Sequence, residues 1–154
     1  MSTSNSLKII TAAQVIDGSG APPIKNAVIV VKGDEIEAVV RDRSLVNFNN
    51  MAVEEYRYDN ATILPGLIDG HVHLIGFGDG RPGDDLNNLP DEVLTLQAAK
   101  NARTHLYSGV TTVRDCGAKN NTTFMLRQAV EMGITPSPRL ILSGRPVSII
   151  GGHL

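Results

Sequence analysis

Leu64-Pro65-Gly66-Leu67-Ile68-Asp69-Gly70-His71-Val72-His73 is the stretch that decides the fold. From Ile63 to Asp69 the chain is almost continuously apolar, the pattern of a strand buried on both faces. Side chains two apart on an extended strand point the same way. His71 and His73 therefore aim to one side, about 7 Å apart at the backbone by the strand rise. Two imidazoles so placed can converge on one metal ion at Zn–N distances of about 2 Å. Val72 points the other way, into apolar packing. A bare His-x-His pair is commonly surface decoration. Here it closes an apolar strand, with Pro65-Gly66 and Asp69 ahead of it and a long loop behind. In a parallel α/β barrel the C-terminal strand ends form the active-site face, and the pair occupies that place.

Downstream, a Gly- and Asp-rich loop from Gly76 to Asn88 leads into a helix over Asp91 to Ser108. Leu94, Ala98, Ala102 and Leu106 form one stripe on that helix, and Gly109 stands where a C′ glycine belongs. Val110-Thr111-Thr112-Val113 reads as a second strand. Asn121 to Met132 reads as a second helix, with Met125, Leu126, Ala129 and Val130 apolar and Gly133 as its stop. Pro136 and Pro138 bar helix before a third strand, Arg139 to Ser143. Strand, helix, strand, helix, strand is the order of parallel strands joined by right-handed crossovers, so the fold class is α/β.

Upstream, residues 1–63 read as short strands. Lys8-Ile9-Ile10 and Gln14-Val15-Ile16 flank a break, and Asp17-Gly18-Ser19-Gly20 makes a turn. Ala27 to Val31 and Ile36 to Val40 pair as a hairpin across Lys32-Gly33-Asp34. Tyr56-Arg57-Tyr58 alternates again and stops at Asp59-Asn60. This is the pattern of a small antiparallel β-module, one face buried and one wet. The expected division is thus 1–63 and 64–154.

Bulk properties narrow the function. Of 154 residues, 42% are hydrophobic and 19% charged, the balance of a water-exposed globular chain. A net charge of -2 with scattered basic residues gives no reason to expect nucleic acid or an anionic membrane as partner. No apolar stretch approaches the roughly 18–20 residues that span a bilayer. The single cysteine, Cys116, excludes an internal disulfide, so a cytoplasmic location is expected.

Pro65-Gly66-Leu67-Ile68-Asp69-Gly70-His71-Val72-His73 resembles the strand-one signature of the amidohydrolase superfamily. Val15-Ile16-Asp17-Gly18 and Ile36-Glu37-Ala38-Val39 resemble that superfamily's N-terminal β-module. Gly109-Val110-Thr111-Thr112-Val113-Arg114-Asp115 resembles its second barrel strand. Gly151-Gly152-His153 resembles a segment after the third strand in the imidazolonepropionase-like and prolidase-like branch. The resemblance implies a (β/α)₈ TIM-type barrel with a small β-domain. It also implies one or two divalent metal ions, zinc above all, that activate a water, with His71 and His73 as ligands. It places His153 against the substrate, and it implies a small-molecule substrate and a homo-oligomeric parent.

A whole barrel takes about 250 residues, and only three barrel strands fit between Leu64 and Leu154. The fourth-strand lysine or glutamate, the later histidines and the late aspartate base of such enzymes have no counterpart here. A catalytic zinc takes about three protein ligands plus water. A chain offering two is expected to bind metal weakly and to be an inactive N-terminal fragment that needs the rest of the barrel. The parent activity expected is hydrolysis of C–N bonds, on a dipeptide, an N-acyl amino acid or a cyclic amide. The alternatives are a non-catalytic amidohydrolase-like scaffold acting by association, and a metal-binding module without chemistry.

Other residues carry plainer expectations. His105 is a half-exposed helix residue, Cys116 a small buried filler, and Arg114 and Asp115 structural or supporting groups at the strand end. His153 is equally compatible with a loose tail. Asp79, Asp84 and Asp85 do not match a calcium loop and read as a solvated active-site loop. Gly66 and Gly70 are read as close-packing positions.

Overall fold

The computed structural model describes residues 7–46, 52–80 and 83–150. His153 and the side chain of Asp84 lie outside the described residues. The chain forms two compact units that divide between Pro65 and Gly66.

The first unit is one four-stranded sheet. Its strands are β1 (Leu7–Val15), β2 (Ile24–Lys32), β3 (Glu35–Val40) and β4 (Val53–Ile63), in the order β3-β2-β1-β4. β1 and β2 are antiparallel, as are β2 and β3, with Gly33 at φ 63° in the expected hairpin turn. β4 runs parallel to β1, so the sheet is mixed rather than antiparallel throughout. About a dozen residues separate β3 from β4, enough chain to return to the far edge, which a parallel pairing requires. β1 is one strand, not two short ones; the expected break is a register shift against β4 between Ala12 and Gln14. At its centre the sheet is not wet on one face, although β3 and most of β4 are exposed. Leu7, Ile9, Val28 and Val30 form one apolar cluster, and Val15, Ala27 and Ile29 form another. Ala27 to Val30 are buried in succession, so β2 is covered on both sides.

The second unit carries the histidines. β5 (Leu67–Val72), α1 (Asp91–Tyr107), β6 (Val110–Asp115), α2 (Thr122–Glu131) and β7 (Arg139–Leu142) alternate along the chain. The three strands lie in the order β5-β6-β7, all parallel. Within the loop expected to be irregular, Gly83–Asn88 forms a short 3₁₀ helix. α1 buries Leu94, Ala98 and Ala102 of its stripe, while Leu106 is only half-buried. Gly109 follows at φ 90°, a left-handed conformation that a β-carbon would strain. α2 buries Leu126 together with two threonines, Thr122 and Thr123, and leaves Met125 exposed. Both helices pack on one face of the sheet around Val72, Leu74, Val113 and Ala118.

β5 departs from the expected doubly buried strand. It begins at Leu67, because Ile63 belongs to β4, and Leu67 and Ile68 are 56% and 75% exposed. Within this unit the helices cover one face only. The strand is also out of phase with itself. Ile68 pairs with Thr112 and is exposed, whereas Val72 pairs with Asp115 and is buried. The pairing shifts between Asp69 and Val72, and this shift turns His71 and His73 to the face opposite the helices. Gly66 is a close-packing position: a β-carbon there would lie 2.1 Å from Thr111 Oγ1. Gly70 is not, since a β-carbon would meet nothing within 4 Å.

Candidate metal centre

His71 is the penultimate residue of β5, and His73 is the first residue beyond the strand. The Asp69 carboxylate accepts the His71 N–H at 3.0 Å, a local bond that fixes the backbone just ahead of the pair. After His73 the chain turns sharply, with Gly76 N–H donating to the His73 carbonyl at 3.0 Å. Two other elements pin this turn. Asn101 of α1 donates to the Leu74 and Gly76 carbonyls, at 2.8 and 2.6 Å. Asp115 at the end of β6 accepts the Leu74 N–H at 2.9 Å.

The imidazoles meet as the sequence spacing predicts. Their rings stand edge to face, and the Nε2 atoms are 3.4 Å apart. His73 Nδ1 lies 3.0 Å from the Gly117 carbonyl, which can only accept, so Nδ1 carries the proton. That tautomer leaves the Nε2 lone pair free, the arrangement in which metal-binding histidines are held. In a tetrahedral zinc shell with Zn–N near 2.05 Å, adjacent ligand nitrogens are about 3.3–3.4 Å apart. The His71–His73 pair therefore fits two corners of such a shell. Among the described residues, no third His, Cys, Asp or Glu joins it.

Asp115 is the most unusual group near the pair. It is fully buried, and that burial pushes its carboxyl above the ordinary value of 3.8. The Leu74 N–H, the Thr123 hydroxyl and the charge of His73 pull the other way. Its second oxygen, Oδ2, and the buried Thr123 Oγ1 each lack a hydrogen bond of ordinary length. Arg114, next in sequence, points to the opposite face and donates to the Gly70 carbonyl at 2.7 Å. The two thus form no ion pair with each other. Cys116 is half-buried rather than buried, and its amide donates to the Val72 carbonyl at 2.9 Å. His105 is a half-buried helix residue whose Nδ1 bonds the Asn101 carbonyl.

Beside His73 a cleft of about 670 Å³ opens between the loop after β5 and the segments that follow β6 and β7. Asp79 and Asp85 line it, and so do Gly117, Lys119 and Arg145. Sequence reasoning missed Gly117 and Asn101. A backbone carbonyl leaves no mark in the residue alphabet, and the only trace of Asn101 is a poor helix former inside a helix. Among the described residues, no helix is long and apolar enough to cross a membrane.

Known proteins resemble this chain in sequence and in fold. The sequence profile described as "Amidohydrolase family" matches residues 62–149, more than half of the chain. The Bacillus subtilis (strain 168) protein named "Putative amidohydrolase YtcJ" is 31% identical in an 80-residue alignment that covers 45% of this chain and 15% of YtcJ. A solved amidohydrolase superposes with a TM-score of 0.77 at 31% identity, over 96% of this chain and 33% of its own. A solved prolidase in complex with N-methylphosphonate-L-proline gives 0.80 at 26% identity, over 96% and 34%. The chain thus spans about a third of the length of these solved relatives. Its α/β fold is that of the barrel-like amidohydrolases over that part of their length.

Proposed function

The chain belongs to the amidohydrolase family, and from that premise we propose that it contributes His71 and His73 as ligands of a divalent metal ion, zinc, in a hydrolase of C–N bonds. The observation that carries the reading is the pair of Nε2 atoms 3.4 Å apart, with His73 locked by Gly117 into the ligating tautomer. A bound ion of this kind supplies a water of lowered pKa and polarises the bond under attack. The protein's own part is positional. Asp69 and Asn101 fix the backbone on either side of the pair, Asp115 anchors the turn, and Gly117 sets the ring. The remaining ligands and the general base belong to the part of the relatives that lies beyond this chain, so the 154 residues alone bind metal weakly and turn over little. His153 is proposed to face the substrate, which is a small molecule: a dipeptide, an N-acyl amino acid or a cyclic amide.

The test is metal content by elemental analysis of the purified protein and of a His71→Ala, His73→Ala double variant. Loss of the metal, together with any hydrolysis of N-acyl amino acids, is the expected result. Unchanged stoichiometry in a folded double variant refutes the assignment and favours a scaffold that acts by association.

A further inference from the structure

At the rim of the cleft beside His73 stands an exposed cation, Arg145, that no carboxylate neutralises among the described residues. Lys119 lines the cleft too, but its ammonium donates to the Asn87 and Leu89 carbonyls, at 3.0 and 2.7 Å, and pairs with Asp91 at 3.4 Å. It is absorbed in holding the 3₁₀ segment to α1. Arg145 is differently placed. One of its terminal nitrogens donates to Asn120 Oδ1 at 2.5 Å, and no carboxylate lies within 4.0 Å of it among the described residues. Asn120 is itself held: its backbone is left-handed at φ 51°, and its amide donates to Asp91 Oδ2 at 2.8 Å. The relay Asp91–Asn120–Arg145 therefore orients the guanidinium through a neutral amide, with no carboxylate paired to it among the described residues.

We infer that Arg145, positioned by Asn120, is a carboxylate-binding residue that selects substrates with a free carboxylate. A guanidinium held by one nitrogen keeps further N–H donors in a planar fork, which matches a carboxylate in two parallel bonds. His73 and Arg145 border the same cleft, so a molecule whose reacting bond lies at the histidines can extend along it to the arginine. Asp79 and Asp85 also border the cleft, so its potential is not positive overall. Recognition is then local to the guanidinium rather than a general attraction for anions. The inference rests on the hydrolase reading for its statement about substrates, and it narrows that reading toward N-acyl amino acids and dipeptides and away from neutral cyclic amides.

The test is an NMR titration of the 154-residue chain, free of metal, that follows the Arg145 Nε–H resonance. N-acetylglycine is the probe, and N-acetylglycinamide is its uncharged match. The expected result is a saturable shift with the acid and none with the amide. Arg145→Gln should raise the dissociation constant for the acid at least tenfold, Arg145→Lys should lose less, and Asn120→Ala should fall between. Binding of the acid should survive in the His71→Ala, His73→Ala variant, because the subsite does not use the metal. Equal shifts with acid and amide, no saturable shift with either, or an Arg145→Gln variant that binds as well as the parent overturns the inference. Retained metal in the histidine double variant would overturn the metal assignment and leave the carboxylate result standing, so the two failures are separable.

Discussion

At the scale of single residues, Asp115 has the largest consequences that can be measured without a metal. Burial raises its carboxyl, so the folded chain holds the proton more tightly than the unfolded chain does. The sign follows directly. The contribution is most favourable below the ordinary carboxylate value of 3.8, declines as pH rises through the raised folded-state value, and is flat beyond it. Asp115→Asn keeps an oxygen for the Leu74 N–H and cannot ionise. In urea unfolding of the chelator-treated chain over a pH series, this variant should lose that part of the slope and be at least as stable as the parent above the window. Asp115→Ala leaves the Leu74 N–H without its acceptor and should cost about 1–3 kcal/mol at low pH, where the parent carboxyl is protonated, and less as pH rises. An Asp115→Asn variant with the parent's slope would show that the carboxyl is not the titrating group. The sequence placed Asp115 at a strand end with a supporting role. It could not show that its partner is the amide of Leu74, because that contact joins backbone and side chain across 41 residues.

At the scale of elements, the helices were more legible than the strands. The four-residue stripe and the flanking glycines located α1 and α2 to within a residue or so at each end, since both signals are local. β5 was misjudged because an apolar run reports what a strand is made of, not what lies against it. Leu67 and Ile68 have the composition of buried positions, and nothing within the unit buries them. The same limit applies to β4: parallel pairing with β1 is a property of the connection, not of either strand. The glycines of β5 give a test at this scale. Gly66→Ala would force a β-carbon to within 2.6 Å of Thr111 Cβ, which no rotamer change relieves. It should destabilise the unit by about 1–3 kcal/mol in urea unfolding, with partial recovery on adding Thr111→Gly. Gly70→Ala meets open space and should stay within about 0.5 kcal/mol of the parent. Equal effects at the two positions would contradict the packing described for β5.

At the scale of the whole molecule, the histidine pair is assembled by parts far apart in the chain. β5 supplies the rings, α1 holds the turn through Asn101, and the end of β6 supplies Asp115 and Gly117. The motif was legible in the sequence, but its support was not. A synthetic peptide of residues 64–73 contains both histidines and none of that support. Zinc should therefore bind the folded chain at least tenfold more tightly than the peptide in a calorimetric titration, and equal affinities would mean that the fold adds nothing to the pair. The 3.4 Å separation has one further consequence, which concerns choice among ions. With bonds of about 2 Å it subtends a bite angle of roughly 110°. Cis positions of a square-planar ion need about 90°, or nitrogens about 2.8 Å apart. A flexible peptide can close to either angle. On the proposed metal reading, the folded chain is therefore expected to disfavour nickel relative to zinc more strongly than the peptide does, which competition titrations of the two ions on chain and peptide would check.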